Sequence, residues 1–321
     1  MKRMRRAAEL TPSRVRNEAA MIQEIAPKIF HNEFLDKADE SLAGGDVVLA
    51  FHGRHLLCRA EEDGTVSVPT KEEFAPLLAG GGKAPSADGE SVRYLFCIDD
   101  TRYFLYRGTL PVTGPEEEAE NILPGYRLHK LLLLRTGRPQ ELMFAATTAY
   151  HLYVWYRDNA YCGRCGSRMH HATTERALTC ETCGNIVYPR INPAVIIGLT
   201  DGDRILMTRY AHRETRGNAL IAGFCEIGET AEETVAREVM EEVGLEVEDI
   251  RYYKSQPWGF ELDLLMGFFC KVKGNTDITM DREELASARW ISRDDIESDP
   301  HGISLTSEMI HFFHVHPEAF A

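Results

Sequence analysis

The sequence predicts an α+β fold built from three successive modules. Three observations predict it. Short strand-forming runs, broken by glycine and acidic turns, occupy the first third of the chain. Two C-x-x-C pairs stand fourteen residues apart in the middle. A helix with start and stop signals at both ends lies between strand runs in the last third. The boundaries expected are an N-terminal α+β domain over 1–125, a linker and helix over 126–157, a metal-binding ribbon over 158–189 and a final α/β domain over 190–321.

In the first module, residues 14–29 are expected to be helical, limited by Pro27. Val47 to Phe51, Arg54 to Arg59 and Thr65 to Val68 read as strands around Gly53 and the Glu62-Asp63-Gly64 turn. A Gly- and Pro-rich loop follows over 79–90. Val92 to Ile98 and Arg102 to Tyr106 flank Asp99-Asp100-Thr101 and predict a hairpin. The acidic stretch Pro115 to Glu120 reads as a solvated helix. No catalytic signature stands out in this module. Residues 139–159 predict one helix, with Pro139 suited to its first turn. Its stripe of Tyr150, Tyr153, Trp155 and Tyr156 serves either a core or a subunit interface.

Cys162-Gly-Arg-Cys165 and Cys180-Glu-Thr-Cys183 each fit a tight turn. Gly166 and Gly184 follow, so the backbone can fold over a metal. Four thiolates at this spacing suit one tetrahedral Zn²⁺ per chain. Such a site is coordinatively closed, hence structural, and supplies folding free energy that a short ribbon cannot draw from a core. Nearby Arg164, Arg168, His170, His171 and Arg176 also allow a nucleic-acid-binding ribbon.

Composition narrows the function classes. Lys and Arg number 36 and Asp and Glu 50, a formal charge of −14 over 321 residues. A dedicated duplex-DNA binder would carry a net basic footprint. Hydrophobic residues at 44% suffice for a sizeable core. The longest apolar runs, Leu131 to Leu134 and Ala194 to Leu199, fall far short of the ~18–20 residues of a membrane helix. The basic start, Met1 to Arg6, leads into Glu9 with no apolar stretch after it, so no secretory signal is expected. Cys58, Cys97, Cys225 and Cys270 lie scattered among apolar neighbours. That is the usage of a reducing compartment and predicts a cytoplasmic protein.

In the last module, the strands Ala194 to Leu199 and Arg204 to Thr208 flank an Asp201-Gly202-Asp203 turn. Thr230 with Glu233 forms a capping box, so a helix should start near Ala231. Gly244 provides its left-handed stop. Val235, Val239 and Val243 form the buried stripe. Glu238, Glu241 and Glu242 fall on one flank, where like charges destabilise an isolated helix by roughly 0.2–0.5 kcal/mol per pair. A solvated acidic face accounts for glutamates, but not for their clustering beside a glycine-led loop and Arg237. Clustered hard oxygens suit Mg²⁺ or Mn²⁺ and substrate phosphates.

The run from Gly223 to Leu245 matches G-x5-E-x7-R-E-U-x-E-E-x-G-U, U being aliphatic, at every specified position. It is identified as a Nudix box. The resemblance implies an α/β/α sandwich and hydrolysis of nucleoside diphosphates linked to a second group. It implies that Glu238, Glu241 and Glu242 hold the catalytic metals and that Arg237 orients Glu229. Further on, Ser255-Gln256-Pro257-Trp258-Gly259-Phe260 resembles the S-Q-P-W-P-F-P signature of the NADH pyrophosphatases, the NudC-like group. That group also carries a helix and a four-cysteine ribbon directly before the Nudix domain, in the order found here.

Aromatic faces at Phe224, Trp258 and Tyr188 can stack nicotinamide or adenine, and Gln256 offers both a donor and an acceptor. The resemblance places Phe224 on the nicotinamide side. It assigns Glu175, Tyr188 and Ile196 to base-pocket positions, some reached across a homodimer, and Glu284 to a further metal or base position. It implies NAD(H) as substrate, NMN(H) and AMP as products, and removal of NAD caps from RNA 5′ ends. Gly259 and Glu261 stand where the signature has prolines, and Asp263 where serine is usual. Those changes should loosen the loop and add charge repelling a diphosphate unless the carboxylates point away. The alternatives are another nucleoside diphosphate derivative such as ADP-ribose, or a zinc-ribbon nucleic-acid-binding protein with a vestigial Nudix domain.

Overall fold

The computed structural model describes residues 21–34, 41–79, 91–112, 122–211, 218–297 and 302–320. The basic N-terminus, residues 14–20 of the first expected helix, most of the 79–90 loop and the acidic 115–120 segment lie outside them. The chain divides into two compact units. One holds 22–191 with 258–262. The other holds Met21 with 192–257 and 263–320, counted over the described residues.

The unit over 22–191 contains two small sheets. The first joins β1 (Phe30–His31), β2 (Val47–Leu49), β6 (Val92–Ile98) and β7 (Thr101–Tyr106) in the order β1-β6-β7-β2. The second joins β3 (Phe51–His52), β4 (His55–Ala60) and β5 (Val66–Ser67), with β8 (Arg127–Lys130) pairing β4. The expected β6–β7 hairpin is present, and Asp99 takes the left-handed φ of 48° its turn requires. Residues 21–29 form turns rather than the expected helix. Met21, Ile22 and Ile25 are still buried, so the apolar spacing is real but serves irregular chain.

Helix α1 (Lys71–Ala79) was not expected from the sequence. Its start signal is nevertheless written there. Thr70 N–H donates to Glu73 Oε2 at 3.0 Å and Glu73 N–H returns to Thr70 Oγ1 at 3.5 Å, a capping box. Helix α2 (Gln140–Asp158) follows, with Pro139 as its N-cap residue rather than in the first turn. Its Tyr150, Trp155 and Tyr156 are buried within the unit and Tyr153 packs on Phe51, so the aromatic stripe is core. The ribbon adds β9 (His170–His171), β10 (Leu178–Thr179) and β11 (Ile186–Val187) as a three-stranded sheet.

The second unit is a six-stranded mixed sheet between two helices. Its strands are β12 (Asn192–Asp201), β13 (Arg204–Tyr210), β14 (Ile221–Phe224), β15 (Glu246–Trp258), β16 (Asp263–Lys273) and β17 (Leu285–Ser292). The order is β15-β16-β12-β13-β17, with β14 pairing β12. β12 and β16 run parallel, and the other pairings of β12 are antiparallel. Side chains alternate across a strand. Val195, Ile197 and Leu199 therefore face α3 (Ala231–Val243), whose Val235, Val239 and Val243 complete one core. Gly198 and Gly267 face the other way, against Met309 of α4 (Leu305–Val315). A Cβ on Gly267 would stand 2.7 Å from the Met309 sulfur, so this layer needs bare backbone to pack closely. The result is the expected α/β/α sandwich. Among the described residues, no helix is long and apolar enough to cross a membrane.

Candidate active site

The ribbon cysteines gather as the sequence predicts. Their donor atoms all lie within 4.8 Å of one another, the one group of three or more potential metal donors this close among the described residues. Cys162 Sγ is 3.6 Å from Cys183 Sγ, and Cys165 Sγ is 3.4 Å from Cys180 Sγ. Tetrahedral Zn–S bonds of ~2.3 Å put sulfurs roughly 3.8 Å apart, so the set fits zinc. Two matching turns build it. Gly166 N–H donates to Cys162 O and Gly184 N–H to Cys180 O, both at 2.8 Å, with the glycines at φ 73° and 70°. The other four thiols play no part. Cys58, Cys97 and Cys270 are buried and Cys225 half-buried. Burial pushes the Cys58 and Cys270 thiols up to about 12, which leaves them unreactive.

In the sandwich unit, β14 delivers the chain into a loop that ends at α3. Both halves of the Thr230–Glu233 capping box form, and Gly244 closes the helix at φ 68°. The glycine that leads this loop has a steric reason. A Cβ on Gly223 would lie 1.9–2.4 Å from the Glu238 carboxyl atoms, so only glycine lets that carboxylate lie against β14.

Arg237 organises the carboxylates. Its Nε and Nη2 donate to the two Glu229 oxygens at 2.7 and 3.0 Å, a two-pronged pair. Its Nη1 donates to Glu238 Oε1 at 2.7 Å and Glu241 Oε2 at 2.9 Å, and Nη2 also reaches Phe224 O at 3.0 Å. The guanidinium holds the Glu229 carboxyl down to about 2. The Thr234 hydroxyl and the Glu226 N–H also donate to Glu229 Oε2, at 3.0 and 3.2 Å.

Glu242 differs from its neighbours. It is 2% exposed, and its Oε2 has no hydrogen-bond partner. Burial pushes its carboxyl up to about 8, and the charges of Glu238 and Glu284 add to the effect. Burial likewise raises Glu238. The charges of Glu238 and Glu284 thus act on a buried Glu242 with too little compensation, an arrangement a divalent cation relieves. Hard oxygen donors, one of them buried and unpartnered, fit Mg²⁺ or Mn²⁺ better than softer metals. Glu241 is exposed and bound to Arg237, and Glu284 is exposed just before β17.

Tyr210 was not expected from the sequence. Its hydroxyl accepts from Ala222 N–H at 3.0 Å and shares its one proton between Ala222 O and Glu242 Oε1, each at 3.3 Å. An aromatic residue at the end of a strand gives no sign of such a role. Only the pairing of β12 with both β13 and β14 brings it to α3.

The six expected substrate residues divide by exposure. Phe224 and Tyr188 present more than half their surface to solvent. The Tyr188 hydroxyl donates to Glu175 Oε1 at 2.9 Å. Trp258 is half-buried, 4.7 Å from Phe260 and 5.4 Å from the Arg135 guanidinium. Ile196 and Gln256 are buried instead. Gln256 Nε2 donates to Ile303 O at 2.9 Å and its Oε1 accepts Leu305 N–H at 2.6 Å, so its amide binds the start of α4. Their exposure suits them to shape the unit from within rather than to touch a ligand.

The departures from the signature are accommodated. A Cβ on Gly259 would stand 2.2 Å from Thr147 O, so the segment lies directly on α2. Glu261 is gripped at both oxygens by Arg54, at 2.8 and 3.2 Å. Asp263 is buried and accepts from Asn192 Nδ2 at 3.3 Å. The loop is anchored where the missing prolines predict looseness, and both added carboxylates have protein partners.

Comparison with known proteins agrees with this construction. Residues 190–311 match the NUDIX domain family, and residues 157–188 match the NADH pyrophosphatase zinc ribbon domain. The chain is 42% identical over 145 residues to the NAD-capped RNA hydrolase NudC of Enterobacter sp. (strain 638), covering 45% of this chain and 56% of that one. It is 40% identical over 173 residues to the protein of that name from Salmonella typhi, covering 53% and 67%. The match thus spans little more than half the length of the Enterobacter protein. A solved NUDIX hydrolase from Nitrosomonas europaea aligns at TM-score 0.42 and 23% identity, over 48% of this chain and 89% of that one. The chain belongs to the Nudix hydrolases, in the zinc-ribbon NADH pyrophosphatase group to which NudC belongs.

Proposed function

We propose that this protein hydrolyses the pyrophosphate of NAD(H) to NMN(H) and AMP, and removes NAD caps from RNA 5′ ends. The observation that carries the reading is the Glu242 carboxylate, buried, unpartnered at Oε2 and destabilised by Glu238 and Glu284. That is the environment of a ligand awaiting a divalent cation. Glu238, Glu241 and Glu242, with Glu284, would hold Mg²⁺ or Mn²⁺. Such ions supply bridging of phosphate oxygens and activation of water for displacement at phosphorus. Arg237 keeps Glu229 ionised and oriented and draws Glu238 and Glu241 into line. Phe224, Tyr188 and Trp258 offer faces for the bases, with Glu175 setting the Tyr188 hydroxyl. Ile196 and Gln256 are the remaining base-pocket positions of this reading. Zinc holds the ribbon over 158–189 and takes no part in the reaction.

The same reading makes the protein a cytoplasmic homodimer, as its resemblance to the NADH pyrophosphatases implies. The test is incubation with Mg²⁺ or Mn²⁺ and, separately, NADH, NAD⁺, ADP-ribose and NAD-capped RNA, beside a Glu242→Gln variant. NADH or capped RNA should be cleaved, and the variant should lose roughly two orders of magnitude in activity. Faster turnover of ADP-ribose than of either would reassign the substrate. A fully active variant would remove the metal-site reading.

A further inference from the structure

In the sandwich unit, β17 is the outermost strand on its side of the sheet and pairs with β13. Tyr210, the last residue of β13, is paired with Leu285, the first of β17, and Ala211 N–H donates to Glu284 O at 2.9 Å. This end of the two strands adjoins the carboxylate cluster, because the Tyr210 hydroxyl reaches Glu242 Oε1 at 3.3 Å.

Two arginines run from this end along the outer strand. Leu206 belongs to the core under α3, and Tyr210, Ala288 and Trp290 pack against that core. Alternation along the strands turns Arg209 and Arg289 to the opposite face, where Met207 is the partner of Arg289. Met207 is buried there, whereas both arginines are exposed, so they lie past the covered part of that layer. Arg209 pairs with Ser287, two residues before Arg289. The arginines are therefore diagonal neighbours, ~7–8 Å apart at the backbone and within reach of one another's long side chains. Among the described residues, neither guanidinium has a hydrogen-bond, ion-pair or ring partner. Two neighbouring cations left without a carboxylate, in a chain of net −14, repel each other. A polyanion laid across them relieves that repulsion.

We propose that Arg209 and Arg289 form a track for the RNA strand that follows an NAD cap, each guanidinium on one phosphate. The inference rests on the decapping reading of the carboxylate cluster and adds to it the residues that tell a capped strand from free NADH. With the cap pyrophosphate at Glu238 and Glu242, a strand leaving past the end of β13 meets Arg209 first and Arg289 second. Guanidinium forks take phosphate through two N–H donors, and such contacts position a strand without reading its sequence. Each neutralised phosphate of a single strand releases counterions and adds about −0.7 to the slope of log affinity against log salt. Two arginines thus contribute about −1.4. Free NADH has no strand to reach them.

The test measures kcat/KM of the full-length protein, at fixed Mn²⁺, for NADH and for an NAD-capped RNA of about ten nucleotides, between about 50 and 200 mM NaCl. In the parent, capped RNA should lose about sevenfold more than NADH over that range. Arg209→Gln and Arg289→Gln should each remove about half of the excess slope. The double variant should remove all of it, so that the two substrates fall in parallel. Replacing both by lysine should keep most of the slope, since the charge stays. NADH turnover should remain at the parent level throughout, which also reports folding, and the single variants decide the matter should the double variant fold poorly. No excess slope in the parent, or an unchanged one in the folded variants, overturns the proposal and leaves NADH hydrolysis standing. So does a parent that cleaves NADH but not capped RNA. A parent that cleaves neither overturns the diphosphatase reading, and the track falls with it.

Discussion

The Tyr210 hydroxyl reaches Glu242 Oε1 at 3.3 Å while Glu242 Oε2 remains without a hydrogen-bond partner. One oxygen is steadied by the protein and the other is left for a ligand. Tyr210→Phe keeps the ring and removes the donor. It should weaken Mn²⁺ binding about three- to tenfold and lower kcat, with little change in KM for NADH. Mn²⁺ titration by electron paramagnetic resonance checks it. Unchanged affinity would reduce Tyr210 to packing.

The pH dependence of the metal-free protein follows from Glu242. Its folded value, about 8, lies above the ordinary 4.5. Between those values the folded chain binds more protons than the unfolded chain, so stability falls as pH rises through that window. Thermal melts in EDTA should show this loss from about pH 5 to 8, smaller in Glu242→Gln and smaller with Mg²⁺ present. The same variant should lose roughly two orders of magnitude in activity.

Gly223→Ala tests the close approach of Glu238. The added methyl overlaps the carboxylate, so Glu238 must move. Overpacking of this kind costs roughly 1–3 kcal/mol. A melting temperature lowered modestly beside a severe loss of kcat is the expected result. Retained activity would mean that Glu238 need not lie against β14.

Arg54 and Glu261 test whether the first unit holds the Trp258-containing segment. Both are more than half exposed, so the pair contributes at most about 1 kcal/mol. Arg54→Glu should raise KM for NADH by up to about fivefold and leave kcat nearly unchanged. Adding Glu261→Arg should restore it. No rescue in the double variant would separate the pair from substrate binding.

Zinc removal should act on folding rather than on chemistry. A strong chelator, or Cys180→Ala, should lower the metal content by one zinc per chain and melt the ribbon. Its three two-residue strands offer little core to replace the ion's contribution. Restored zinc should recover the chelated protein but not the variant.

Much of the site was legible before folding because its chemistry is local. The four thiolates lie in two turns, and Glu229, Arg237, Glu238, Glu241 and Glu242 lie on one loop and helix. Capping and helical periodicity place such groups within a few residues of chain. The α1 helix was equally legible from Thr70 and Glu73, but a short helix with Pro76 inside it gives little apolar period to notice. The helix expected over 14–29 erred the other way, since the described part buries its apolar residues in turns.

Sequence by itself determined the family, the zinc ligands, the carboxylate set and the two ends of α3. These depend on residue type and short spacing, which act through backbone geometry over one or two turns. Tertiary structure alone decided which carboxylate is buried and that Tyr210 reaches it. It also decided that the Gln256 amide serves α4, that Gly259 lies on Thr147, and that Glu261 is held by Arg54. Each of those facts depends on pairing between strands or packing between distant segments, whose partners are dozens to hundreds of residues apart and leave no periodic mark in the chain.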